Sequence, residues 1–193
     1  MSLFDKLKNK AAGAAGDAAK NIVSGTNKSV SVVFNSIPGS LAEFAALPQA
    51  AMQTPFDTAA MVVLAYGVYK ADKNLSIAMI NHLKGPQPLS NREISFIADR
   101  MAQNGKIDFI DESYFNGATP QNNYTPTEPY TVTVSENPYS YQEPSYAVMW
   151  IKSGGADSPR QVKMRQAKDN KWYLWEDMLL GDIRPPESTN LWM

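Results

Sequence analysis

The chain has no cysteine and a single histidine, His82. The first absence removes disulfides, thiolate nucleophiles and cysteine-ligated zinc. The second leaves no pair of imidazoles for a metal, and any Ser-His nucleophile would have to run through His82. That residue falls on the apolar side of a predicted helix, below Leu75 and Met79, where a packed structural histidine is expected. Also missing are a Gly-x-Ser-x-Gly elbow, a P-loop and a Gly-x-Gly-x-x-Gly turn. The residue content suggests neither a metal nor a cofactor. The most apolar run, Thr58 to Tyr69 between Asp57 and Lys70, falls short of the ~20 residues a spanning helix needs and reads as a buried helix. The first residues lack the continuous apolar core of a secretory signal. A net charge of −1 gives no electrostatic case for nucleic acid.

Lysine and arginine are absent from Ile107 to Ile151, a stretch rich in proline and tyrosine. The next twenty residues reverse the balance with Lys152, Arg160, Lys163, Arg165, Lys168 and Lys171. An acidic connector thus feeds a basic, strand-like segment. Its tyrosines, notably Tyr124, Tyr139, Tyr141 and Tyr146, offer flat amphipathic rings suited to recognition. They would equally serve to pin a long loop by burying rings and bonding hydroxyls. Read as a strap, the connector is expected to close over the basic sheet face.

At 193 residues the chain fits one domain plus tails. Residues 1–28 read as an Ala/Lys-rich amphipathic helix lying outside the core. Leu3, Phe4 and Leu7 lead its apolar face, with Lys6 and Lys10 on the other. Such a helix reads as a frayed tail, as a segment docking on a protein partner or on itself in an oligomer, or as a weak anchor to an anionic membrane surface. Residues 29–187 read as a single α+β domain, and 188–193 as a short tail that carries Trp192.

Within the domain, Ser29 to Phe34 alternates as a strand. Ser40 caps a short helix to Leu47. Thr54-Pro55 opens a helix to about Lys70, since proline costs nothing at the first helical position. A further helix runs from Leu75 to Lys84. Ser90 and Glu93 form a capping box before Ile94, Ile97, Ala98 and Met101. Strands are expected at Lys106–Ile110, Tyr130–Ser135, Tyr146–Lys152, Gln161–Gln166 and Lys171–Glu176, the last two joined by a hairpin turn over Ala167–Asn170. Val148 with Trp150, Val162 with Met164, and Trp172 with Leu174 are expected to face the helices. The fold class is therefore a small helical cluster on an antiparallel β-meander.

Two clusters invite a chemical reading. Asp108, Asp111 and Glu112 lack the register of a calcium loop and read as a solvated strand end. Ser153 to Arg160 resembles a phosphate cradle but has no following helix or lysine-hydroxyl pair, so a wide hairpin turn is expected. Arg160 is kept as a candidate binding residue beside the tyrosines.

Gly85-Pro86-Gln87-Pro88-Leu89-Ser90, Asn123-Tyr124-Thr125-Pro126, Asn137-Pro138-Tyr139-Ser140-Tyr141, Ser153 to Arg160 and Trp172-Tyr173-Leu174-Trp175-Glu176 together resemble an uncharacterised bacterial domain family of unknown function. Its Met-x-Leu-Phe-Asp-Lys start is matched by Met1 to Lys6. The resemblance implies a bacterial, intracellular protein and carries no catalytic residues. The expected function is a non-enzymatic binding or adaptor module of the cytoplasm, at the inner membrane surface where its N-terminal helix engages lipid. The alternative is a small-ligand binder or hydrolytic enzyme with a carboxylate and tyrosine pocket between helices and sheet.

Overall fold

The structure, a computed structural model, describes residues 26–189. The segment read as an amphipathic helix lies almost wholly outside these residues, as does Trp192. Five antiparallel strands run in chain order: β1 (Ser29–Phe34), β2 (Tyr130–Ser135), β3 (Tyr146–Ile151), β4 (Arg160–Gln166) and β5 (Trp172–Asp177). Four α-helices are inserted between β1 and β2: α1 (Leu41–Ala46), α2 (Pro55–Tyr66), α3 (Lys73–Lys84) and α4 (Asn91–Ala102). The fold is the α+β arrangement expected, helices packed on a meander.

Local chemistry starts each helix. The hydroxyls of Ser40, Thr54 and Ser90 accept from the amides of Glu43, Asp57 and Glu93. At Ser90 the Glu93 carboxylate reciprocates, closing the capping box. The third helix begins two residues before the predicted Leu75, because the Asp72 carboxylate takes the Leu75 amide at 2.9 Å. Every residue of α2 except Asp57 is buried, so this helix is the centre of the core.

Two expectations fail. Lys106–Ile110 is a tight helical turn, not a strand. Asn104 and Gly105 adopt left-handed backbone (φ 53° and 67°), which reverses the chain directly after α4, and Ile110 N–H then donates to Lys106 C=O. In β3 the inward residues are Ala147, Met149 and Ile151, while Val148 and Trp150 are only half-buried on the outer face. The run Tyr-Ala-Val-Met-Trp-Ile is apolar at every position, so nothing local sets its phase. Its neighbour does: Ala147 lies opposite Met164 and Met149 opposite Val162, both buried on β4. Leu174 is buried as expected, and Trp172 packs partly buried against the core.

Candidate functional site

The groove between α4 and β5 originates in an irregularity of the sheet. Lys163 pairs with Glu176 and the adjacent Met164 with Leu174, so Trp175 is one residue too many. A bulge of this kind moves everything beyond it to the opposite face. Asp177 consequently points inward, where Tyr66 at the end of α2 donates to its carboxylate at 3.1 Å. The Leu179 amide donates to the other oxygen at 3.1 Å. Burial pushes the Asp177 carboxyl up despite these bonds. It lifts the Tyr66 phenol well above its ordinary value, with the adjacent carboxylate adding to the shift.

Above this pair lies a cavity of about 550 Å³, within the size range of small-ligand sites. Its walls include Ile97 and Phe96 from α4, and Leu174, Met178 and Leu180 from β5 and the turn after it. Phe96 and Met178 are 52% and 57% exposed, which leaves apolar surface on both lips. At one end Lys84 crosses from α3, reaching Glu93 at 3.1 Å and the Trp175 carbonyl at 3.2 Å. Burial alone would raise Glu93, but the bonds from Ser90 and Lys84 outweigh it and hold the carboxyl below its usual range. Beyond this bridge a smaller cleft of about 290 Å³ continues past Pro86, Arg165 and Tyr173.

At the other end stand Arg100 and Arg160. Arg160 donates from Nη2 to the Asp182 carbonyl at 2.6 Å and from Nη1 to Ser158. Its Nε is buried without an acceptor among the described residues. That nitrogen is enclosed by protein atoms, while other parts of the Arg160 side chain form the groove wall. Among the described residues no three His, Asp or Glu side chains converge to hold a metal.

Residues 36–187 match a family described as a domain of unknown function, DUF6935. The chain belongs to that family. No curated protein matches the chain, and no solved structure does. The match takes in all four helices, β2 to β5 and the groove, and leaves β1 outside it.

Of the residues singled out from sequence, Arg160 alone lines the groove of this family domain. Tyr124 is fully buried, stacked on Phe109 at 5.2 Å, with its hydroxyl donated to the Arg184 carbonyl. Burial, partly offset by the Arg184 charge, pushes its phenol up to about 12. Tyr141 donates to Glu136 at 2.9 Å and meets Trp172 edge-on. Tyr139 is 68% exposed at a loop tip. Tyr146 stands on the outer sheet face, where the Arg165 guanidinium lies over both its ring and that of Trp175. These tyrosines are not gathered into one surface.

The connector is instead a strap, though not over the basic face. Its first half packs against the β3–β4 loop and the chain after β5: Tyr114 donates to the Leu179 carbonyl, and the Gly154 amide to the Ser113 carbonyl at 2.8 Å. The basic face receives from it one ion pair among the described residues, Glu143 to Lys163 at 2.7 Å. Residues 153–159 form a loop between strands in which the amides of Gly154, Gly155 and Ala156 are taken by protein acceptors. Gly155 N–H goes to Ser153 Oγ, and Gly155 C=O accepts from Arg184. Asp108 is exposed and paired with Lys70 at 2.9 Å, whereas Asp111 is half-buried and not a solvated end. His82 meets Phe44 edge-on at 6.0 Å, and burial with the Lys171 charge lowers its basicity.

Sequence reasoning missed Tyr66, Phe96, Arg100, Asp177 and Met178. One signal was present. Phe96 is a large aromatic off the Ile94-Ile97-Met101 stripe of α4, and therefore directed away from the core side of that helix.

Proposed function

We propose that this chain is a binding module whose ligand seats in the α4–β5 groove. The observation that carries this reading is the pairing of apolar lips, Phe96 and Met178, with two guanidinium side chains, Arg100 and Arg160, in the lining of the same groove. That combination suits an amphiphile, with an apolar body along the lips and a carboxylate or carbonyl head at the arginines. In this reading the protein acts in the bacterial cytoplasm. Residues 1–28, through Leu3, Phe4 and Leu7 flanked by Lys6 and Lys10, tether it to a protein partner or to the anionic inner membrane surface. The exposed Tyr139 is available for further contact.

Isothermal titration calorimetry of the full chain with decanoate tests the groove. Saturable binding is expected, weakened at least about tenfold by Arg160→Met and by Phe96→Asp. Decyltrimethylammonium should not bind in its place. Equal binding of the two amphiphiles, or none of either, would reject the groove. Pelleting on anionic vesicles, compared with a Phe4→Asp, Leu7→Asp variant, tests the tether; identical pelleting rejects its membrane form.

A second reading is favoured by Tyr66 and Asp177 at the groove floor, since a carboxyl raised by burial beside a phenol is acid–base equipment. Catalysis by this pair would be lost in Asp177→Asn while decanoate binding persisted.

A further inference from the structure

The two edges of the sheet are treated differently. The outer side of β5 is closed by other parts of the fold: Trp172 N–H donates to Met52 C=O at 2.9 Å, Thr58 Oγ1 to Trp172 C=O at 2.6 Å, and Lys84 to Trp175 C=O. The outer side of β1 has no such cover among the described residues.

The ladder shows which groups are left. Glu136 N–H donates to Lys28 C=O at 2.9 Å, which makes that pair a hydrogen-bonded rung. Bonded and unbonded rungs alternate in an antiparallel pair, and β1 meets β2 in unbroken register from Ser29↔Ser135 to Phe34↔Tyr130. Val30, Val32 and Phe34 are therefore bonded to β2. The N–H and C=O of Ser29, Ser31 and Val33 point outward, and no described residue takes them. The Ser29 and Ser31 hydroxyls lean away from this edge, towards Ser135 at 2.8 Å and Thr133 at 3.4 Å. The strand Ser-Val-Ser-Val-Val-Phe contains no charge and no proline, so it lacks the usual devices that blunt an open edge.

The free groups lie evenly about Ser31, so a second copy of the same edge can satisfy all of them. A second copy running antiparallel about a two-fold axis at Ser31 sets Ser31 against itself and Ser29 against Val33. Each of these three pairs exchanges two backbone bonds. On the inner face the same register brings half-buried Val30 against Val32, and Lys28 falls opposite the apolar Phe34 rather than another cation. We infer that two copies of this chain associate through β1, joining two five-stranded sheets into one continuous antiparallel sheet. The interface is small, so association is weak and concentration-dependent. It leaves the two α4–β5 grooves at the far ends, so ligand binding and dimerisation are separable.

Charge reversal at the axis tests the register. In sedimentation velocity from micromolar to millimolar concentration, the full chain should shift from 21.3 kDa to twice that mass. Ser31→Lys and Ser31→Glu each place like charges directly opposite. Either variant alone should lose association at least tenfold with an unchanged circular dichroism spectrum. An equimolar mixture of the two should restore the dimer. A wild-type monomer at all concentrations overturns the inference, and so does a dimer indifferent to Ser31→Lys. So too does failure of the mixed variants to reassociate. In the first case residues 1–25 of the same chain become the candidate cover for β1.

Discussion

The Tyr66 hydroxyl and the Asp177 carboxylate meet at 3.1 Å across 111 residues of sequence, tying the end of the central helix to the last residue of the edge strand. The bond exists because Trp175 is an extra residue in β5. Tyr66→Phe and Asp177→Ala should each lower stability by roughly 1–2 kcal/mol. Because they break the same bond, the double variant should cost less than their sum, with a coupling energy on the order of 1 kcal/mol. Chemical denaturation of the four proteins measures it. Strict additivity would show that the two groups do not share a bond.

Asp111 should make stability fall as pH rises. Burial pushes its carboxyl from 3.8 to about 7 in the folded chain, the neighbouring Glu112 charge adding to the shift and nearby backbone N–H groups opposing it. Between those values the folded state holds a proton that the unfolded state has released. The associated stability is fully present below pH 3.8 and lost as pH climbs towards 7. Asp111→Asn has no proton to lose and should be more stable than the parent at pH 8, by roughly 1–3 kcal/mol. Glu112 and Asp177 are also shifted upward, so the difference in melting temperature between variant and parent is the quantity to follow. A difference that does not change with pH would contradict the assignment.

Gly154 and Gly155 matter for backbone approach and not for anion binding. A Cβ on Gly154 would collide with the Ala118 carbonyl, and one on Gly155 with the Tyr124 hydroxyl and Ile183. Alanine at either position should destabilise by about 2 kcal/mol or more and loosen the strap, increasing amide exchange around Ser113 and Tyr124. Gly39→Ala, where the nearest atom would be 3.7 Å away, is the tolerated control.

Lys106 is 2% exposed, with its ammonium 2.8 Å from the Asp182 carboxylate at the surface. Its methylenes fill core volume while the charge is led to an exposed partner. Lys106→Met keeps most of that volume and should change the melting temperature little. Lys106→Ala should cost about 2–4 kcal/mol through the cavity it leaves. Thermal unfolding of the two variants separates packing from charge, and equal losses would point to the ion pair instead.

Much of the fold was legible because its signals are local. Ser40, Thr54-Pro55 and Ser90 with Glu93 each announce a helix start within four residues, and each cap is made as the residue types require. Alternation placed β2, and the clear polar positions Gln161, Lys163 and Arg165 placed β4. The turn at Ala167–Asn170 closes through a left-handed Asn170 and the bond from Ala167 N–H to Lys171 C=O.

The candidate site was not legible, apart from Arg160. Its components come from α2, α3, α4, β4, β5 and the turn after β5, and no spacing in the chain records how those elements meet. Of the two wrong readings of the fold, the phase of β3 shares that cause, being set by its pairing with β4. Lys106–Ile110 has too few residues to distinguish a strand from a turn once Asn104 and Gly105 reverse the chain.

The sequence by itself determined where helices begin, which helix is buried all round, and that β1 carries no charge. These follow from capping chemistry, side-chain polarity and repeat period, each fixed within a few residues. Only the tertiary structure decided the phase of β3, the inward turn of Asp177 and the contrast between a covered β5 and an open β1. Those depend on pairing across the sheet, where a single extra residue exchanges its faces.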